Sequence, residues 1–282
     1  MRLWGDCTVD LATVAGLVLA LVALVVSQIM EGSNLGALFN ASALVLILGG
    51  TLGATIISSN MSDVKRLPQF IVAGFRNTAV DPVAAVDELV HLAETARREG
   101  LLALEPAIEN ASNPLLKKGI MLVVDGTQPD ALQQIMQNQI DSMEAKWKAG
   151  PQMLEAAGGY APTMGIIGTV MGLVHVLSQL SEPSKLGPAI ATAFLATFYG
   201  IFTANVFWLP LGAKLKLQNE KERLIANMTL EGILAIQSGL SPHLVREKLW
   251  SMLGEPQGER AARSAAEGGA DENEPDEERE AS

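Results

Sequence analysis

Four stretches of this chain are nearly free of charge, and each is about as long as a bilayer core is thick: residues 11–29, 35–59, 156–180 and 188–212. A helix needs about 20 mainly apolar residues to cross that core. Inside lipid the backbone must also satisfy its own N–H and C=O groups, which leaves helices or closed barrels as the spanning structures. Strand-like alternation is absent, so the stretches read as helices. The fold class is all-α, a polytopic membrane protein with four transmembrane helices and a helical cytoplasmic domain. A content of 49% hydrophobic and only 18% charged residues agrees with this and argues against an ordinary soluble domain. Short connections join the first stretch to the second and the third to the fourth, giving two hairpins. None of the four has the cleavage site and polar continuation of a secretory signal.

Lysine and arginine set the orientation. Arg2, Lys65, Arg66, Lys146, Lys148, Lys214 and Lys216 flank the spans on one side, whereas the two short loops offer only Lys185. Positive charge marks the cytoplasmic face, so both termini and the long segment between spans two and three are expected in the cytoplasm, with the spans in the inner membrane. The expected division is an N-terminal hairpin (1–60), a cytoplasmic segment (61–152), a second hairpin (153–212), C-terminal helices (213–253) and a tail (254–282).

The cytoplasmic segment reads as helices. Over 82–98 the apolar residues Val83, Val86, Val90 and Ala93 follow helical spacing, Asp81 is placed to cap the start and Gly100 to end it. Further helices are expected over 114–125 and 130–148, the latter leading through Gly150-Pro151 toward span three, and over 214–237 and 242–253. Residues 255–282 hold ten acids and three arginines, so that −7 of the net charge of −11 lies there. Such a stretch cannot bury enough apolar surface to fold and reads as disordered and solvated. No basic patch points to nucleic acid. Cys7 is the only cysteine and cannot form an internal disulfide. The chain is read as a non-enzyme, with no cofactor and no metal site.

Span three, "GGYAPTMGIIGTVMGLVHVLSQL", contains five glycines and a proline, although glycine and proline weaken helices. Spacing accounts for this. Gly158, Ala161, Gly165, Gly168 or Thr169, and Gly172 recur every three or four residues and form one stripe. In span four Ala193, Ala196 or Thr197, Gly200 and Ala204 form another. Lipid gives no hydrophobic push between helices, so small side chains that permit close approach are how such helices pack. Gly165, Gly168, Gly172, Ala193, Gly200 and Ala204 are expected to form a smooth wall that lies close against a partner helix. Span one, rich in Leu and Val, suits lipid.

Pro162 and Pro210 each deprive the carbonyl four residues earlier, at Gly158 and Val206, of its usual donor, so both are candidate hinges as well as packing kinks. Thr169 and Thr197 lie on the two stripes. Each hydroxyl can bond a carbonyl one turn back, or the two together can offer oxygens to a passing cation. His175 reads as a packing or interface histidine before a proton carrier. No Asp or Glu lies well inside a span, since Asp10, Glu31, Glu155 and Glu182 sit at or near the ends. A cation pathway ordinarily uses an intramembrane acid. If ions pass, another chain supplies the carboxylate.

The two hairpins around a helical cytoplasmic segment, with "AGGYAPTMGIIGTVMGLVHVL" followed by "LGPAIATAFLATFYGIFTANVFWLPLGAKLK", resemble the MotA/PomA family of bacterial flagellar stator proteins. The similarity runs from about residue 8 to 253. Spans three and four are also shared with TolQ/ExbB energisers, which couple an ion gradient to envelope transport. The short hairpin placed first and "ARREGLLALEPAIEN" favour the stator. The resemblance implies a ring of five MotA/PomA-type chains around two copies of a MotB/PomB-like subunit whose single helix carries the ion-binding aspartate. H+ or Na+ would pass, and charged residues would engage the rotor protein FliG. It further implies that Pro162 and Pro210 match the family's mechanistic prolines. Arg97 and Glu105 match its rotor-facing charges, with Arg98, Glu99 and Glu109 beside them. Sodium-driven relatives carry threonine at the positions matching both Ala196 and Thr197. Thr169 and Thr197 lean toward sodium, and Ala196 leaves proton drive open.

Overall fold

The computed structural model describes residues 8–32, 35–77, 81–178, 181 and 183–254. Cys7, Arg2, Glu182, the last two residues of the expected third span and the acidic tail lie outside the described residues. The helices in chain order are α1 (Leu11–Met30), α2 (Ala41–Ile57), α3 (Met61–Val64), α4 (Leu67–Gly74), α5 (Pro82–Glu99) and α6 (Ala107–Asn110). There follow α7 (Pro114–Val124), α8 (Pro129–Ser178), α9 (Pro183–Thr203), α10 (Leu209–Gln237) and α11 (Pro242–Leu253). An antiparallel ladder of two residues a side, β1 (Thr8–Val9) with β2 (Arg76–Asn77), is a small exception to the all-α expectation.

Local chemistry explains most boundaries. Asp10, Asn40, Asp81 and Asn113 have extended backbones, and their side chains accept from the N–H groups of Ala12, Ala43, Val83 and Leu116, filling donors that a helix start leaves open. Gly100 ends α5 with φ +90°, a conformation in which a side chain is strained. The cap at Asn40 changes the expected second span. Its first part becomes a 3₁₀ turn (Leu35–Leu38), and the helix proper covers only Ala41–Ile57. Among the described residues α1, α8 and the helical stretch Leu186–Gln237 are long and apolar enough to cross a membrane, while α2 is a shorter apolar helix of 17 residues.

Two compact units form, one from 1–80 and 140–223, the other from 81–139 and the residues from 224 onward. The cytoplasmic segment expected as one block over 61–152 therefore contributes to both. In the first unit α1 buries no residue, whereas α2 buries Ala43, Ile47, Thr51 and Thr55, one per turn. Ala43 and Ile47 pack with Ala196 and Tyr199 of α9. A second cluster joins Leu67 of α4, Met153, Leu154, Ala157 and Ala161 of α8, and Ala204, Trp208, Leu211 and Leu215 after α9. In the second unit Val86, Leu89, Val90, Leu92 and Ala93 of α5 are buried, with Leu104, Leu116, Ile120, Val123, Met136, Ile233, Val245 and Leu249. A methyl group at Gly119 would stand 3.0 Å from both Ile233 and Met136, and one at Gly232 would stand 2.8 Å from Leu89, so these glycines let α7 and α5 lie close on their neighbours.

Candidate functional site

The small-residue stripes of α8 and α9 meet each other. A methyl group at Gly172 would stand 2.5 Å from Ala193 Cβ, one at Gly168 2.6 Å from Ala196 Cβ, and one at Gly165 2.9 Å from Thr197 Cα. At Gly200 it would stand 2.5 Å from the Ala161 carbonyl oxygen. Real Cβ atoms do not approach so closely, so each of these positions has room only for glycine. Ala204 is fully buried in the cluster around Ala161 and Trp208. The smooth wall expected to face a separate partner helix is thereby corrected. Gly165, Gly168, Gly172, Ala193 and Gly200 are taken up by the hairpin's own two helices. Spacing shows which residues share a face but not what that face meets.

Close approach brings the two threonines together. Thr169 Oγ1 and Thr197 Oγ1 are hydrogen-bonded to each other. Thr169 Oγ1 also lies 3.1 Å from both the Gly165 and Ala193 carbonyl oxygens, and Thr197 Oγ1 lies 3.2 Å from that of Gly165. Two hydroxyls and two carbonyls thus share only two hydroxyl protons, an oxygen-rich cluster with lone pairs to spare. Both threonines are half-buried. Oxygen ligands of this kind suit a hard cation shedding its water. Among the described residues no group of three or more His, Cys, Asp and Glu side chains is placed to hold a metal. His175 is exposed, and its carbonyl accepts from Ser178 Oγ at 2.7 Å.

The prolines fall in different settings. Pro162 is half-buried inside α8, which continues through it. Pro210 follows a π-helical turn, Ala204–Trp208, in which the Leu209 N–H bonds the Ala204 carbonyl. That wider turn rearranges the hydrogen bonds next to the proline that lacks a donor, and such turns recur at functional sites.

Sequence reasoning missed several polar ties. Tyr199 Oη accepts from the Asn40 N–H at 2.9 Å and donates to the Leu38 carbonyl, fixing the start of α2 on α9. A tyrosine in an apolar span needs a partner for its hydroxyl, and that was the available signal. Lys214 forms an ion pair with Asp10 and a hydrogen bond with Thr13, tying α10 to the start of α1. The opposite charges at two span ends pointed to this pair. Glu144 accepts from Lys148 at 2.7 Å and Arg223 at 3.4 Å. These partners, the Lys148 hydrogen bond first, hold its carboxyl below the usual range. Burial pushes the Glu222 carboxyl up.

In the second unit Arg97, Arg98 and Glu99 close α5, Glu105 follows the 3₁₀ turn Leu101–Leu104, and Glu109 lies in α6. All five are exposed. The fully buried Leu104 anchors the turn that joins them.

This geometry has known counterparts. Residues 107–228 match the model of the MotA/TolQ/ExbB proton channel family, and residues 14–100 match that of the motility protein A N-terminal region. Motility protein A of Bacillus subtilis is 36% identical over 244 residues, 85% of this chain and 89% of the relative. The chain belongs to the motility protein A family of flagellar stator proteins. Chemotaxis protein PomA of Vibrio alginolyticus, another relative, is 32% identical over 252 residues, 89% of this chain and 98% of its own length. The solved flagellar MotAB stator complex from Bacillus subtilis contains a chain that superposes with a TM-score of 0.81 at 34% identity, covering 89% of this chain and 98% of that one. A chain of C. jejuni MotAB gives a TM-score of 0.82 at 30% identity, covering 86% and 95%. The family's N-terminal region, matched over α1 to α5, weighs against the TolQ/ExbB-like alternative.

Proposed function

We propose that this chain is the MotA-type component of a flagellar stator in the cytoplasmic membrane, with both termini in the cytoplasm, and that it turns cation flow into torque on the rotor. The observation that carries the reading is the Thr169–Thr197 oxygen cluster, held between two helices that contain no carboxylate of their own in the membrane. Such a site attracts a cation but cannot neutralise it. The carboxylate comes from two copies of a MotB/PomB-like subunit, around which copies of this chain assemble as a pentamer. H+ or Na+ passes beside Thr169 and Thr197, and Pro162 and Pro210 act as the hinges where the helices give. Arg97, Arg98, Glu99, Glu105 and Glu109 meet FliG. The MotAB composition of the two similar solved complexes supports the choice of partner.

Deleting the gene should leave flagella assembled and cells unable to swim, and restoring the chain should restore swimming. A deletion strain that swims normally overturns the reading. Swimming speed against external sodium at fixed pH then assigns the ion. A speed that follows sodium gives Na+, and a sodium-independent speed that collapses under a protonophore gives H+.

A further inference from the structure

Helix α8 carries Pro151 in its interior and yet does not break there. A proline has no N–H, so the carbonyl one turn earlier, that of Trp147, loses its helical donor, and the pyrrolidine ring pushes that carbonyl outward. The vacancy is filled from another helix. Asn219 Nδ2 of α10 donates to the Trp147 carbonyl at 2.7 Å. One turn further along both helices an ionic tie follows, where Arg223 reaches Glu144, which also holds Lys148. These residues line a single cleft of about 330 Å³ between α8 and α10.

We propose that Asn219 is a positioning residue that stands in for the amide missing at Pro151, so that the course of α8 through this proline is set by α10. A carboxamide fits the task because it brings an uncharged N–H donor to a neutral carbonyl. A carboxylate would bring only acceptors at neutral pH, and an aliphatic side chain would cover the carbonyl without bonding it. The same α8 carries Pro162, Gly165 and Thr169 in its apolar half, so displacement of α10 at Asn219 is passed to the helix that holds the oxygen cluster. The motility part of this inference rests on the stator reading above. The structural part does not.

The test is a double-mutant cycle. In Pro151→Ala the residue at 151 regains its N–H and can serve the Trp147 carbonyl itself, so Asn219 should become dispensable. Asn219→Leu and Asn219→Asp are made in the parent and in the Pro151→Ala background, co-expressed with the MotB/PomB-like partner, and read by thermal midpoint of the purified complex and by swimming speed. In the parent background each Asn219 variant should lower the midpoint by about 3 °C, the shift expected for a chain of this size on losing one such bond, and should slow swimming. In the Pro151→Ala background neither should cost more than a third of that. If the Asn219 variants fail to accumulate in the parent, recovery of accumulation by Pro151→Ala supports the proposal and continued failure overturns it. Equal losses in both backgrounds also overturn it. Should the chain prove unnecessary for swimming, the thermal comparison still decides the Asn219 assignment.

Discussion

Helix α1 and the α8–α9 hairpin are both apolar and both long enough for a bilayer, yet they relate to the rest of the chain in opposite ways. No residue of α1 is buried, and a methyl group added at Gly16 would meet nothing within 4 Å. In the hairpin a methyl group at Gly172 or Gly200 would stand 2.5 Å from the facing helix. Hydrophobicity does not distinguish the two. In lipid an apolar side chain gains little by leaving one apolar neighbour for another, so contact is decided by size, and small residues go where backbones must approach. Glycine in α1 is incidental, and glycine on the facing stripes of the hairpin is structural.

The largest effect should come from Gly200→Ala, because its added methyl runs into the backbone carbonyl of Ala161, which cannot move without moving α8. Overpacking of this kind costs about 1–3 kcal/mol in soluble cores, and the variant should lose membrane abundance. Gly16→Ala should be neutral or gain up to about 1 kcal/mol through helix propensity. Quantifying both proteins in the membrane, with the thermal midpoint of the purified complex, checks the contrast. Equal losses in the two variants would break it.

Hydroxyls sharpen the same comparison. Thr55 of α2 is buried and donates to the Thr51 carbonyl one turn back at 2.8 Å, a tie within its own helix. Thr169 and Thr197 bond across two helices and to each other. Valine in place of any of them removes hydrogen bonding worth roughly 1 kcal/mol without changing shape much, so abundance should change little in all three variants. Swimming should stop in Thr169→Val and Thr197→Val and persist in Thr55→Val. Normal swimming in both hairpin variants would remove the oxygen cluster from the ion pathway.

What the sequence made legible follows from the range of the interactions. The start and end of α5 could be read because Asp81, Pro82 and Gly100 act on their immediate neighbours. The pairing of Thr169 with Thr197 was half legible, since spacing placed each on a stripe and the connection between spans is short. The target of the stripes was misread, because a glycine stripe fits a partner helix and the next helix of its own hairpin equally well. Asn219 and Tyr199 were not legible as ties. Their carbonyl partners lie 72 and 161 residues away in the chain, and only the folded backbone brings them together. The lost donor at Pro210 was foreseeable, but the π-helical turn that adjoins it was not, since other local adjustments would also have served.

The exposed charges of the second unit provide a contrast with the meshed hairpin, because they stand in solvent. Such charges contribute only about 0–1 kcal/mol each to stability. Arg97→Glu and Glu105→Lys should therefore leave membrane abundance unchanged while slowing swimming, and the double reversal should be slower still, since on the proposed rotor contact a reversal turns attraction into repulsion. Arg97 also closes α5, where a cation favours the helix C-terminus, so a purely structural role predicts lower abundance instead. Motility scored beside abundance, with and without reversed charges on the rotor, separates the two. Normal swimming of the double reversal at normal abundance would end the torque assignment.

The smallest effects should come from the ion pairs, and they return to α1. Lacking any buried side chain, that helix is held at its start by Asp10, which pairs with Lys214 of α10 and caps Ala12. The Glu144 pair with Lys148 and Arg223 instead joins helices that already share the Asn219 bond. Asp10→Asn should therefore lower the thermal midpoint more than Glu144→Gln. The Glu144 carboxyl is held below its ordinary range by the Lys148 hydrogen bond, with Arg223 adding to it. A depressed carboxylate stabilises the fold above its unfolded value, about 4.3, and loses that contribution as pH falls through the folded one. The gap between Glu144→Gln and the parent should be open at neutral pH, close as pH falls below the ordinary carboxylate range, and shrink in high salt, because the cations facing this carboxylate are largely exposed to solvent. A gap that is constant across that range would mean that Glu144 acts through packing and not through charge.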